Sequence, residues 1–174
     1  MKSLITFLFT FSLLACGGTE IAEKKVAVLD MEMLNLTLKL TDPKKNADIA
    51  AADQKNVELV QSLVRKGFEK RDNYTLIKIS DEVHAKADKS VGYLFDRPEA
   101  AAKLGKTVGA DYIVVGRYHK PTYLFSYIML RVVDVNSGEL VQEFKSEVKG
   151  RPQETIPRNI ENLMIEVDEL LSAQ

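Results

Sequence analysis

From residue 25 onward, short apolar runs of the kind that form buried strands alternate with longer stretches whose apolar positions recur at helical spacing. Lys25-Val26-Ala27-Val28-Leu29-Asp30 is continuous and bounded by charge, the pattern of a strand covered on both faces. Leu34, Leu36, Leu38 and Leu40 then recur at period two, which predicts that Met31–Leu40 either continues extended or forms a lid. Asp42-Pro43-Lys44-Lys45-Asn46 reads as a turn. Val57, Val60, Leu63, Val64 and Phe68 predict an amphipathic helix over about residues 47–70, ended by Asp72-Asn73.

Tyr74–Ile79 is a second strand. Asp96 and Glu99, three apart with Pro98 between them, predict a capping-box start for a helix that buries Ala101, Leu104 and Val108 and closes at Gly109. Asp111–Arg117 reads as a third buried strand, and Tyr123–Val135 with Glu139–Val148 as a hairpin around Asn136-Ser137-Gly138. Ile160, Leu163, Met164, Val167, Leu170 and Leu171 stripe a C-terminal helix. The order β-α-β-α-β-β-β-α predicts one α/β domain over residues 25–174, a mixed five-stranded sheet flanked by helices.

Ahead of that domain the pattern changes. Lys2 precedes an apolar run, Leu4–Ala15, whose twelve residues make about 18 Å of helix against about 30 Å of hydrocarbon. That is too short to span a membrane and has the layout of a secretory signal peptide over residues 1–15. Leu13-Leu14-Ala15-Cys16-Gly17 resembles the bacterial lipobox, and Cys16 is the single cysteine of the chain. A thiolate at the bilayer surface is the nucleophile that lipidation requires. The resemblance implies a lipid anchor on Cys16, with the two or more acyl chains that stable anchoring needs. Gly17 in place of Asp implies, in a Gram-negative cell, the periplasmic face of the outer membrane. Residues 16–24 form a tether that reaches roughly 30 Å at full extension.

Composition removes several classes. The 174 residues carry 24 Lys and Arg against 25 Asp and Glu, a net charge of −1, so no basic field exists to hold nucleic acid. One cysteine excludes a disulfide scaffold, a thiolate zinc cluster and a CxxC pair.

Candidate chemistry is thin. Gly105-Lys106-Thr107 has the spelling of a phosphate loop, but Ala100 stands where a glycine is needed, and the segment falls at a helix end of the wrong dipole sign. Asp81, His84 and Asp88 would share one helical face as a weak metal set, which a solvated polar segment explains equally. Ser126 with His119 or His84 lacks a nucleophile elbow. No catalysis, metal or cofactor is therefore expected. Arg117-Tyr118-His119-Lys120-Pro121-Thr122-Tyr123-Leu124-Phe125-Ser126-Tyr127 gathers aromatic and cationic groups behind the carboxyl end of a buried strand, where sites on α/β sheets collect. Tyr123, Phe125 and Tyr127 alternate and are expected to pack under a helix. Arg117, Tyr118, His119 and Lys120 are expected to be exposed for recognition, with Tyr93 and Arg97 as a second contribution.

The segments Val26–Asp30, Tyr74–Ile77, Leu104-Gly105…Gly109–Gly116 and Arg131–Val141 resemble a periplasmic superfamily. It contains the N-terminal domain of the Tol-system translocation protein, the lipoprotein activators of penicillin-binding proteins and the curli-secretion lipoprotein. Within it, Gly92–Asp96 and His119-Lys120-Pro121…Phe125-Ser126-Tyr127 resemble an uncharacterised family of secreted bacterial proteins. The resemblance covers most of residues 25–148. A curli-type pore needs further strand pairs of about 9–11 residues per crossing, and little chain is left for them. The function this implies is a lipid-anchored periplasmic accessory domain that docks onto another envelope protein. The alternatives are a small-molecule or metal-binding module and, more distantly, a secretion-complex subunit. A homo-oligomer is left open.

Overall fold

In the computed structural model, which describes residues 23–37 and 42–174, the first apolar run forms β1 (Lys24–Val28). The leader, Cys16, Leu38 and Leu40 lie outside the described residues. Val26, Ala27 and Val28 are buried on both faces because β1 is a central strand. Its parallel neighbours are β3 (Tyr74–Ile77), with Val26 opposite Leu76, and β4 (Tyr112–Lys120), with Val26 opposite Tyr112. Beyond Leu29 the chain steps sideways and re-enters the sheet as β2 (Glu32–Asn35), parallel to the far half of β4 from Glu32 opposite Arg117 to Asn35 opposite Lys120. Gly116 sits where the two pairings meet: the Met31 side chain lies over it, and any Cβ there would collide with Met31 Sδ.

β5 (Ser126–Asp134) and β6 (Leu140–Val148) complete the sheet as an antiparallel meander. The order is β3-β1-β4-β5-β6 with β2 beside β4, six strands where the apolar pattern predicts five. The sixth is the extended continuation of β1, over Glu32–Asn35, and Leu36 N still donates to Lys120 O beyond it. The class, a single α/β domain with a mixed sheet flanked by helices, stands as predicted.

Two helices cover one face. α1 (Pro43–Glu69) begins earlier than its periodicity indicates, because Asp42 is an N-cap whose carboxylate accepts from Lys44 N at 3.0 Å and Lys45 N at 3.4 Å. α5 (Pro152–Ser172) packs beside it, and Val60, Val64 and Phe68 meet Ile160, Met164 and Val167 above Val28, Ile128 and Leu130. The opposite face holds α2 (Asp81–Ala87), α3 (Tyr93–Asp96) and α4 (Pro98–Val108), whose Ala101 and Leu104 pack on Ile113 and Val133. α4 lacks the predicted capping box: Arg97 is its N-cap without a side-chain bond, and the Asp96 carboxylate is spent elsewhere. Gly109 closes it at φ +73, a left-handed value that glycine adopts without steric cost. No described helix is long and apolar enough to cross a membrane.

Candidate functional site

A strand turns successive side chains to opposite faces, and that rule divides the cluster predicted on β4. Arg117 and His119 point to the face of α2–α4, while Tyr118 and Lys120 point to the face of α1 and α5. The four do not form one surface.

On the first face Arg117 is a clamp. Nε donates to Glu32 Oε2 at 2.7 Å, and Nη1 and Nη2 donate to Asp96 Oδ1 and Oδ2 at 3.2 and 3.1 Å. Its guanidinium lies 3.9 Å from the Phe95 ring centroid, and Arg131 stands 4.4 Å from the same ring while donating to Phe95 O at 2.7 Å. Two cations thus grip one phenyl ring and fix α3 against β2 and β4. Burial opposes the Arg117 charge, yet the bonds to Asp96 and Glu32 outweigh it and hold the group above its ordinary pKa. Tyr93 borders this core, with Lys89 at 5.4 Å and Arg97 at 5.5 Å from its ring, and Arg97 remains exposed. Tyr93 and Arg97 therefore keep a surface position, whereas Arg117 is committed internally.

On the second face the prediction of exposure fails for Tyr118, which is 1% exposed and belongs to the main core. Its hydroxyl lies among Ser126, Asn56 and Asp53. Burial first and the Asp53 charge next raise its pKa, against the opposing bonds of Ser126 and Asn56. Lys120 is also internal, its side chain 14% exposed, and Nζ donates to both oxygens of Asp53 at 2.9 and 3.0 Å. Asn35 Nδ2 donates to Asp53 Oδ2 at 2.7 Å, and Asn35 Oδ1 accepts from Thr37 N and Oγ1. This network ties β2, α1 and β4 together.

What the cluster does expose is the turn after it. β5 starts at Ser126, so Tyr123 and Phe125 are not strand residues under a helix. With Leu124 they form an open tip, 54%, 44% and 83% exposed in the order Tyr123, Phe125, Leu124. Thr122 Oγ1 accepts from Leu124 N and Phe125 N, and the Tyr123 hydroxyl donates to Thr37 O at 2.6 Å. That bond brings in Leu36, itself 55% exposed, whose N donates to Lys120 O. Three consecutive large apolar residues straight after Pro121-Thr122 were the sequence signal for this tip. Below it His119 and Tyr127 stand opposite each other with ring centroids 6.5 Å apart, and Lys145 Nζ lies 4.2 Å from the Tyr127 centroid. Burial, then Arg117 and Lys145, keep the His119 imidazole below its ordinary pKa. Its Nε2 is buried and has no hydrogen-bond partner.

The remaining candidates do not assemble. Gly105-Lys106-Thr107 occupies the last turns of α4, away from any helix N-terminus. The sheet separates Ser126, beside Tyr118, from His119 on the other face. His84 and Asp88 line a cleft of about 220 Å³ with Leu29, Asp30, Glu32 and Phe95. Among the described residues no three His, Cys, Asp or Glu side chains converge to hold a metal ion.

No curated protein matches the chain in sequence. In structure it is similar to the hypothetical protein CT253 from Chlamydia trachomatis, at 14% identity and a TM-score of 0.52 over 87% of this chain and 100% of that one. E. coli LpoB matches at 14% identity and 0.51, over 75% of this chain and 58% of LpoB. TolB from Acinetobacter baumannii matches at 12% identity and 0.50, over 87% of this chain and 29% of TolB. At these identities the likeness is one of fold. Residues 24–166 match the model of a family described as "Protein of unknown function (DUF2380)", and the chain belongs to that family.

Proposed function

We propose that this chain is a lipid-anchored accessory domain on the periplasmic side of the outer membrane, held through Cys16, which docks onto another envelope protein and works without catalysis. The observation that carries the reading is the placement of two features at opposite ends of the sheet. The chain enters β1 at Lys24, whose N donates to Asn73 O beside the start of β3. The apolar tip of Leu36, Tyr123, Leu124 and Phe125 lies past the other end of β4, about 30 Å away at ~3.3 Å per residue. A short tether then keeps the base beside the bilayer and lets the tip face the periplasm. Contiguous exposed apolar groups around a rigid tyrosine mark protein contact surfaces. The fold likeness to LpoB and TolB supports this class of domain.

The test is site-specific photo-crosslinking in the native host, with the full chain carrying the photoreactive residue at position 124. The expected result is one discrete adduct, lost when Cys16→Ser releases the domain from the membrane. Position 165 on α5, 48% exposed as Ile165, should give none. Absence of an adduct from position 124, or an equal adduct from position 165, contradicts the reading.

A further inference from the structure

The sheet has a notch. β4 runs nine residues, Tyr112–Lys120, and its near half is flanked by β1 and then β3. On that same side, away from β5, its far half is flanked by β2 alone, because β3 ends at Ile77, opposite Ala27. Among the described residues no strand pairs with the outer side of β2. In a parallel ladder alternate residues direct both peptide groups to one side. Leu36 N donates inward to Lys120 O, while Met31 N donates outward to Gln61 Oε1 on α1 at 2.9 Å. The alternation therefore turns the peptide groups of Met33 and Asn35 into the notch.

A cleft flanks this edge on each face. One, of about 580 Å³, runs along α1 between Met31 and Gln54, Val57, Glu58 and Gln61. The other is the 220 Å³ cleft between β2 and the α2–α3 region. A strand added at the notch would send alternate side chains into the two clefts, the arrangement by which edge-binding domains read extended peptides. The smaller cleft is lined by Glu32, Asp88 and His84 and by no Lys or Arg, while the carboxylate of Asp30, at its margin, is held by Gln61 and Arg65 on α1. Glu32 gives Oε2 to Arg117, while its Oε1 is buried without a hydrogen-bond partner.

We propose that β2 accepts an extended peptide segment of a partner protein as an added strand, with a basic side chain of that segment entering the acidic cleft beside Glu32. The peptide amides of Met33 and Asn35 supply the main-chain pairing, and the Glu32 oxygen supplies the charge selection. The notch adjoins Leu36, so an occupant would lie beside the apolar tip without depending on the tip to bind anything.

The probe is a synthetic, end-capped hexapeptide of alternating Val and Lys, compared with its Val and Glu counterpart by amide NMR of the full chain in detergent micelles. The Lys peptide should shift the Met33 and Asn35 amides, slow their hydrogen exchange and bind about tenfold tighter than the Glu peptide. Asp88→Asn, at an exposed helix end, should reduce that preference while leaving the fold intact, and Glu32→Gln should reduce it further. Shifts that spare β2 and the residues lining its two clefts, equal binding of the two peptides, or Met33 and Asn35 amides already protected in the free chain would overturn the proposal. Loss of the position 124 adduct with peptide binding intact would refute only the docking tip.

Discussion

Tyr118→Ala is expected to remove about 3–5 kcal/mol of folding stability, a large fraction of the roughly 5–15 kcal/mol that a domain of this size has. The side chain is 1% exposed and packs in the core shared by both sheet-covering helices, so truncation leaves a cavity that rigid strands cannot close. Tyr118→Phe keeps the ring and loses only the hydroxyl's contacts with Ser126 and Asn56, which should cost about 1 kcal/mol. Urea unfolding separates the two variants. A loss below about 1 kcal/mol for Tyr118→Ala would mean that the residue is not part of the core. A docking defect caused by Tyr118→Ala would report unfolding rather than a lost contact.

Asp53→Ala should be nearly as damaging, because it strands a charge. Asp53 is 4% exposed and its carboxylate neutralises Lys120 while accepting from Asn35. Removing one partner of a buried pair costs about 3–5 kcal/mol, whereas replacing both by apolar groups of similar size is often neutral or stabilising. Thermal unfolding should therefore show a large fall for Asp53→Ala and a small change for Asp53→Leu combined with Lys120→Met. The exposed Lys86–Glu82 pair on α2 is the control, since breaking such a pair costs at most about 1 kcal/mol. If Asp53→Ala behaved like that control, solvent would be screening the Lys120 pair.

The parts of the fold that local pattern decides were legible. Val26–Val28 and Ile113–Val115 are continuous apolar runs, and continuous runs become central strands. The α5 stripe reads the same way. Where two local meanings compete, the sequence alone is ambiguous. Asp42-Pro43 is a turn dipeptide and also an N-cap followed by the favoured first helical residue, and the helix took it. Asp96 and Glu99 have capping-box spacing, but Arg117, from a strand distant in sequence, offers Asp96 a bidentate pair between opposite charges, where a cap offers neutral backbone donors.

The candidate site was legible in place but not in composition. The Arg117–Tyr127 segment does contain the exposed tip, yet period-two alternation sends Tyr118 to the same face as Val114 and Tyr112, into the core. The partners that bury Lys120 and Arg117, Asp53 and Glu32, lie 67 and 85 positions away. Only tertiary pairing shows them. β2 was half visible as a leucine alternation whose extent depends on β4.

The proposed function places the base of the sheet beside the bilayer and the tip away from it. Full chain carrying a fluorophore at Asp72→Cys, next to the tether exit, or at Leu124→Cys, at the tip, can be placed in vesicles that contain a lipid-borne quencher. Strong quenching at position 72 with little at position 124 is the predicted result. Equal quenching at both positions would contradict the account, because the tip would then lie on the membrane.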